Sequence, residues 1–447
     1  MEYSSKTFCP IPWNSIQMIN NGDFRVCCNA DHANRIGTRL TDENGKVFNA
    51  GVDDWDDTRN APLMKEVRKA MINGEWHEEC TRCRREEEGG FPSNRIIQVN
   101  DWGKYFGNFG YKEALSVVDE DGTLDTEKQN IDFLDIRYGN FCNLKCRMCG
   151  PQDSHMWYSD WKNIYGDTEF PNYDWYSDNK NYIENFKKFG LNAHKINFVG
   201  GEPTLIKEHT ESLKYIIKEN KAEGIRLAYN SNLTSISDEL LELWTSFKEV
   251  RIAASIDGYG DVFNYQRYPA NFDKVLEIIK TIDTNKKINF KLWFYFTITN
   301  LNVFHFPDFI RWKLENNFVT WNNVNTPNPS VSFNMCQTPK HYSITALPNY
   351  LKYQVEEKYN QCIKWVQGTD YSEHVKNDVV KKCDSVINYL YSRDDSKYIN
   401  SFVNITNHLD KIRNQNILEI VPNYEELFKR NYLDEYRRLW CISIRYL

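Results

Sequence analysis

The stretch Phe141 to Pro151 reads FCNLKCRMCGP and sets Cys142, Cys146 and Cys149 in a C-x3-C-x2-C spacing. Three thiolates on one short loop can converge on a single metal centre. A mononuclear structural zinc site takes four ligands. Three cysteines holding an iron–sulfur cluster instead leave one iron open to a small ligand. From spacing alone, a zinc knuckle completed by a residue such as His155 is the competing arrangement.

A second group lies before residue 84: Cys9, Cys27, Cys28, Cys80 and Cys83. CPIPWNSIQMINNGDFRVCC reads as a Pro–Trp stretch, a strand, a Gly–Asp turn and a second strand ending in Cys27. The segment PLMKEVRKAMINGEWHEECTRC then predicts an amphipathic helix, with Leu63, Met64, Val67, Ala70 and Met71 on its apolar face, followed by C-x2-C. A hairpin and a helix end can bring Cys9, Cys27, Cys80 and Cys83 together. Four such thiols suit either a closed zinc site or a fully ligated [4Fe–4S] cluster, and spacing alone leaves both open. Adjacent cysteines pair poorly with one another. If the strand continues, Cys28 points away from Cys27, so Cys27 is the expected ligand and Cys28 the spare thiol. Cys336, Cys362, Cys383 and Cys441 are scattered and read as small buried apolar residues.

The elements that must position these residues follow from periodicity. The chain has 447 residues, enough for a substantial core, and a net charge of −7. That mild acidity argues against nucleic acid as a partner. The N-terminus MEYSSKTF lacks an apolar signal region, and no run reaches the length of a membrane helix. The expectation is a cytoplasmic protein without a membrane segment, in which cysteines serve metal or redox chemistry.

From residue 131 strand and helix patterns alternate. Strands are expected at IDFLDIRY, KINFV (195–199), IRLAYN (225–230), VRIAASI (250–256), INFKLWFYFTI (288–298) and FVTWNNV (318–324). Helical patterns separate them: 153–165, 206–221, 237–247, 272–283 and 304–316. Strands alternating with helices imply βαβ units and a parallel sheet. Six units suggest a partial (β/α)6 TIM-like barrel, an α/β fold whose ligands belong at the carboxyl ends of the strands. The division expected is 1–95 for the first cysteine module, 96–130 for a connector with a turn at DEDGTL, 131–335 for the barrel and 336–447 for a helical region. In that last region Tyr424, Phe428, Tyr432, Tyr436 and Trp440 recur every fourth residue, one face of a helix packed into a core.

The cysteine loop follows the first barrel strand, VGGEPTL (199–205) ends the second, NSN (230–232) the third and SIDG (255–258) the fourth. In this order the motifs resemble the radical S-adenosylmethionine (radical SAM) superfamily, over about residues 131–330. The resemblance implies a [4Fe–4S] cluster on Cys142, Cys146 and Cys149, with S-adenosylmethionine on the fourth iron. It places Gly200, Gly201 and Glu202 near the methionine amino group and Ser255 and Asp257 near the ribose or carboxylate. Asn232 and Arg267, in YQRYP, are further cofactor contacts. Met148 stands where the family usually has an aromatic residue against the adenine, and its thioether can pack on a ring face.

The first cysteine group is similar to the auxiliary-cluster module of the twitch and SPASM branch of this superfamily, placed before the barrel rather than after it. That resemblance favours one auxiliary [4Fe–4S] cluster on Cys9, Cys27, Cys80 and Cys83. RREEEGGFPSNR contains no cysteine for a second. The implied activity is reductive cleavage of S-adenosylmethionine to a 5′-deoxyadenosyl radical, which abstracts hydrogen from substrate. A flavodoxin- or ferredoxin-like protein would supply the electron. The expected substrate is a peptide or protein side chain, with a small molecule as the alternative. A non-catalytic iron–sulfur or zinc-stabilised binding protein is the competitor from another class, and it has no need of the GGEP and SIDG groove. No side chain is assigned as a general acid or base.

Overall fold

In the computed structural model, the described residues are 6–30, 38–88, 93–104, 109–326 and 328–431. The expected helix-face residues Tyr432, Tyr436 and Trp440, and Cys441, lie outside them.

Among the described residues one sheet of eight strands runs in the order β2-β1-β3-β4-β5-β6-β7-β8. β1 (Ser15–Met18) and β2 (Phe24–Arg25) form the N-terminal hairpin. β3 (Phe133–Tyr138), β4 (Lys195–Gly200), β5 (Arg226–Ser231), β6 (Glu249–Ser255) and β7 (Phe290–Ile298) follow, and β8 is Ser332–Met335. Every pairing from β1–β3 to β7–β8 is parallel. The sheet is an α/β partial barrel extended at one edge: β1 joins β3 in register Gln17 to Asp135, so the first cysteine module shares the barrel's sheet.

The expected helices form as α1 Pro62–Ile72, α4 Trp157–Tyr165, α6 Lys207–Lys218, α7 Asp238–Trp244, α9 Phe272–Asp283 and α10 Phe306–Glu315, and four more lie outside the expected pattern: α2 Thr81–Glu88, α3 Asn94–Lys104, α5 Lys180–Gly190 and α8 Gly260–Gln266. Side-chain caps set their starts. Ser237 Oγ accepts from Leu240 N at 3.1 Å, and Asn271 Oδ1 accepts from Lys274 N at 3.1 Å, each satisfying a first-turn amide. α11 (Asn349–Gln367), α12 (Glu373–Tyr391) and α13 (Ile399–Arg413) build the helical C-terminal region. None of the described helices is long and apolar enough to cross a membrane.

β7 shows how the alternation is used. Phe290, Leu292, Phe294, Phe296 and Ile298 are buried, and Phe296 packs against Phe306 at 4.8 Å between ring centroids. Trp293, Tyr295 and Thr297 alternate to the other face, which lines the barrel. The same face carries Asp135, Arg137, Lys195, Asn197 and Arg251 by register. The outside of the sheet is thus apolar and helix-covered, and its inside is polar.

Three expectations are corrected. FVTWNNV is not a strand, and β8 takes the sixth barrel position. The amides of Val319, Thr320 and Trp321 donate to the Asp283 carboxylate at 2.8, 2.8 and 3.2 Å, and Asn322 has φ +40°. Those amides are spent on a carboxylate, so they cannot form a ladder. The second N-terminal strand stops at Arg25, not Cys27, and a turn closed by Ala30 N to Cys27 O at 3.2 Å carries both cysteines. The connector begins as α3, while its DEDGTL turn forms as expected, with Asp119 N bonded to Thr123 O at 2.8 Å.

Candidate functional site

β3 ends at Tyr138 and delivers the cysteine loop to the carboxyl end of the barrel. The loop is held from both sides. Asn140 Nδ2 donates to Pro151 O at 2.7 Å and to the Tyr158 hydroxyl at 2.8 Å. Lys145 N and Arg147 N donate to Tyr268 O and Gln266 O, each at 2.8 Å. Trp157 Nε1 reaches Cys146 O at 2.9 Å. The Nδ1 of His155, the alternative fourth ligand, accepts from Cys142 N at 3.3 Å, and its ring stacks on Phe141 at 5.0 Å.

The GGEP turn meets this loop backbone to backbone. Glu202 N donates to Phe141 O at 2.8 Å. A Cβ on Gly201 would stand 2.1 Å from Phe141 O, and one on Gly200, at φ +126°, 2.7 Å from Tyr138 O. What approaches Gly201 is therefore the cysteine loop itself, and what approaches Gly200 is the end of β3. Glu202 is buried and accepts from Thr204 Oγ1 at 2.8 Å, Ser231 Oγ at 2.8 Å and Asn232 N at 2.7 Å. Burial pushes its pKa above the ordinary value against these bonds.

Two side chains reach the thiols, Asn232 from the end of β5 and Arg267 from the C-terminus of α8. Asn232 Nδ2 lies 3.8 Å from Cys142 Sγ, and Arg267 Nη1 lies 3.8 Å from Cys146 Sγ. Arg267 Nη2 also pairs with Asp257 Oδ2 at 2.6 Å, while Asp257 Oδ1 accepts from Thr297 N at 2.7 Å. Burial opposes the Arg267 charge, yet Asp257, Cys146 and Cys149 outweigh it and hold the guanidinium charged. Burial, followed by Cys146, raises the Cys142 thiol to about 12. A hydrogen bond from Cys149 pulls Cys146 below its usual value. Met148 packs with Cys149 and Ala270 against Cys142, Leu144 and Cys146. Ser255 closes β6 opposite Tyr295. Gly200, Gly201, Glu202, Asn232, Asp257 and Arg267 thus surround the loop.

The donor set fits a four-iron cluster. Among the described residues no three His, Cys, Asp or Glu side chains stand at the spacing of one chelated ion. A cluster asks for a wider set, because each cysteine binds a different iron. Were a cluster held there, Asn232 and Arg267, each 3.8 Å from a thiol, would be its nearest hydrogen-bond donors, a lever on cluster potential.

In the N-terminal module Cys9 feels the charges of Cys80 and Cys83, and Cys27 those of Cys28, Cys9 and Cys80. Burial raises all three thiols, Cys80 to about 12. The charges acting on Cys28 are different: Asp135, Arg25, Arg137 and Lys195. The Gly22 turn that brings the hairpin back has φ +89°, and a Cβ there would meet Trp175 Cγ at 2.8 Å.

Residues absent from the sequence reading close the site from the C-terminal side. Arg147, inside the cysteine motif, forms an ion pair with Asp410 on α13 and lies 3.7 Å over the Tyr265 ring. Asp160 on α4 pairs with Lys145 at 2.7 Å and with Arg413 at 2.9 Å. The basic residues between the cysteines were the available signal, and their partners are too distant in sequence to be paired by pattern.

The Radical SAM superfamily model matches residues 136–312. Among solved structures the chain is similar to native anSMEcpe with bound AdoMet, at 19% identity over 53% of this chain and 60% of that one, TM-score 0.36. It is also similar to Streptococcus suis SuiB bound to precursor peptide SuiA, at 14% identity over 67% and 64%, TM-score 0.34. The chain therefore spans less than two thirds of the length of either. A comparison with curated proteins finds no match. The stretch that the Radical SAM superfamily model matches carries the cysteine loop, the GGEP turn and Arg267.

Proposed function

We propose that the protein is a radical SAM enzyme with two [4Fe–4S] clusters, one on Cys142, Cys146 and Cys149 and an auxiliary one on Cys9, Cys27, Cys80 and Cys83. The observation that carries this reading is the convergence of Arg267 and Asn232 on the thiols of a loop locked against the GGEP turn. When bound, the first cluster and S-adenosylmethionine supply an electron and a carbon radical able to remove hydrogen from an unactivated carbon.

The protein's own groups bind and orient. Gly201 fixes the loop and Gly200 the strand end before it, and Glu202, Asn232, Ser255, Asp257 and Arg267, with Met148, form the cofactor pocket. Asp257 holds Arg267, and Arg267 neutralises thiolate charge. The polar inner face of the barrel receives substrate, which the auxiliary module covers. Four protein ligands leave the auxiliary cluster no open iron, which suits electron transfer rather than substrate ligation.

The substrate we favour is a peptide or protein side chain, with a small molecule as the alternative. Short peptides encoded beside this chain, incubated anaerobically with the reconstituted protein, S-adenosylmethionine and dithionite, should change mass in step with 5′-deoxyadenosine release. Unchanged peptides alongside a small metabolite that stimulates release would reverse that preference.

A further inference from the structure

Asp135 on β3 is the nearest anion to two cations on the barrel's inner face, and it serves both poorly. Arg25 Nη2 stands 3.5 Å from Asp135 Oδ2 and Arg137 Nη2 stands 3.9 Å from the same oxygen. The other oxygen, Oδ1, accepts from Asn197 at 3.2 Å. One shared carboxylate leaves the pair one positive charge in excess. Arg25 Nε and Nη2 and Arg137 Nε have no hydrogen-bond partner among the described residues, and all three atoms are buried. Unmet donors on buried guanidinium groups are costly. The side chains are nevertheless 12% and 25% exposed, so the site is open to a ligand.

Two neighbours flank this pair. Gln17, which is paired with Asp135 in register, is buried and its Oε1 has no partner. Cys28 is solvent-exposed, yet its thiol feels Asp135, Arg25, Arg137 and Lys195 and takes a hydrogen bond from Asn94 at 3.6 Å. Cys28 follows Arg25 by three residues in the turn after β2, which makes its thiol a reporter beside the pair.

We propose that Arg25 and Arg137 form an anion subsite on the inner face of the barrel that holds a carboxylate of the substrate beside Cys28. In a peptide substrate this carboxylate is an acidic side chain or the chain terminus. The proposal rests on the enzymatic reading for the word substrate, but the site is testable without turnover. The carboxylate of S-adenosylmethionine is the other source of the same chemistry. Arg267, already at the cysteine loop, is the better partner for that one.

The test uses the thiol as a reporter. Anaerobic holoprotein is alkylated with iodoacetate or with neutral iodoacetamide, each displaced at iodide by the Cys28 sulfur, and labelling of Cys28 is followed by peptide mass spectrometry. The ratio of the two rates cancels the reactivity of the thiol itself. Relative to the unfolded chain, the ratio should favour iodoacetate by about tenfold. It should collapse in high salt and fall in Arg25→Gln and Arg137→Gln. A folded ratio equal to the unfolded one overturns the subsite. Loss of the preference on adding S-adenosylmethionine overturns its assignment to substrate. A retained preference in a protein that releases no 5′-deoxyadenosine would leave the subsite standing and refute the enzymatic reading alone.

Discussion

Arg147 and Asp410 form an ion pair across 263 residues of sequence, joining the middle of the cysteine motif to α13. The Arg147 side chain is fully buried and Asp410 is 12% exposed. Asp410 also accepts from Tyr265 Oη at 2.8 Å and from Ile417 N at 2.8 Å. The C-terminal helices are therefore part of the frame that fixes the cysteine loop.

Breaking that pair should loosen the loop. Asp410→Ala leaves a buried guanidinium without its anion, a loss of about 3–5 kcal/mol. Thermal unfolding should show it, and iron should leave the variant faster under chelation. In Arg147→Met with Asp410→Leu the two losses should be less than additive; full additivity would argue that the contact contributes nothing.

Gly201→Ala places a Cβ 2.1 Å from Phe141 O. The obstacle is backbone, so the loop must shift. We expect the variant to fold but to retain less than about half the loop-bound iron, an estimate for a site displaced by roughly an ångström. Iron analysis against the wild type checks this, and wild-type iron and S-adenosylmethionine affinity in the variant would contradict the packing account.

Cys27→Ala and Cys28→Ala separate the two adjacent thiols. Two clusters correspond to about eight irons per chain. Cys27→Ala should fall to about four, and Cys28→Ala should stay at about eight. The reverse pattern would exchange their roles.

Acid stability gives an independent check on the core. Burial lowers His209 to about 3 and His305 to about 4. Both are neutral when folded and take up a proton on unfolding below about pH 6.5. The folded state therefore loses stability as pH falls from about 6.5 towards 4, by about 1.4 kcal/mol per pH unit for each histidine. His209→Phe should flatten that slope by one proton, measured by denaturant unfolding across the range; an unchanged slope would mean that His209 titrates alike in both states.

The sequence was most legible where chemistry and periodicity coincide. The cysteine loop, GGEP, NSN and SIDG each follow a strand, and β3 to β7 stand where alternation put them. FVTWNNV misled because its apolar residues alternate like a strand while a carboxylate on α9 takes its amides. Cys27 and Cys28 sit in a turn after Arg25, so strand alternation does not set their directions. Arg147–Asp410 and the shared Asp135 are contacts between distant segments, and single-sequence patterns carry no record of such pairs.

The central claim is that Cys142, Cys146 and Cys149 make this chain cleave S-adenosylmethionine. Anaerobically reconstituted wild type, given dithionite and S-adenosylmethionine, should release 5′-deoxyadenosine and methionine, and the triple Ala variant at these positions should release none. Equal release from the two proteins would contradict the account.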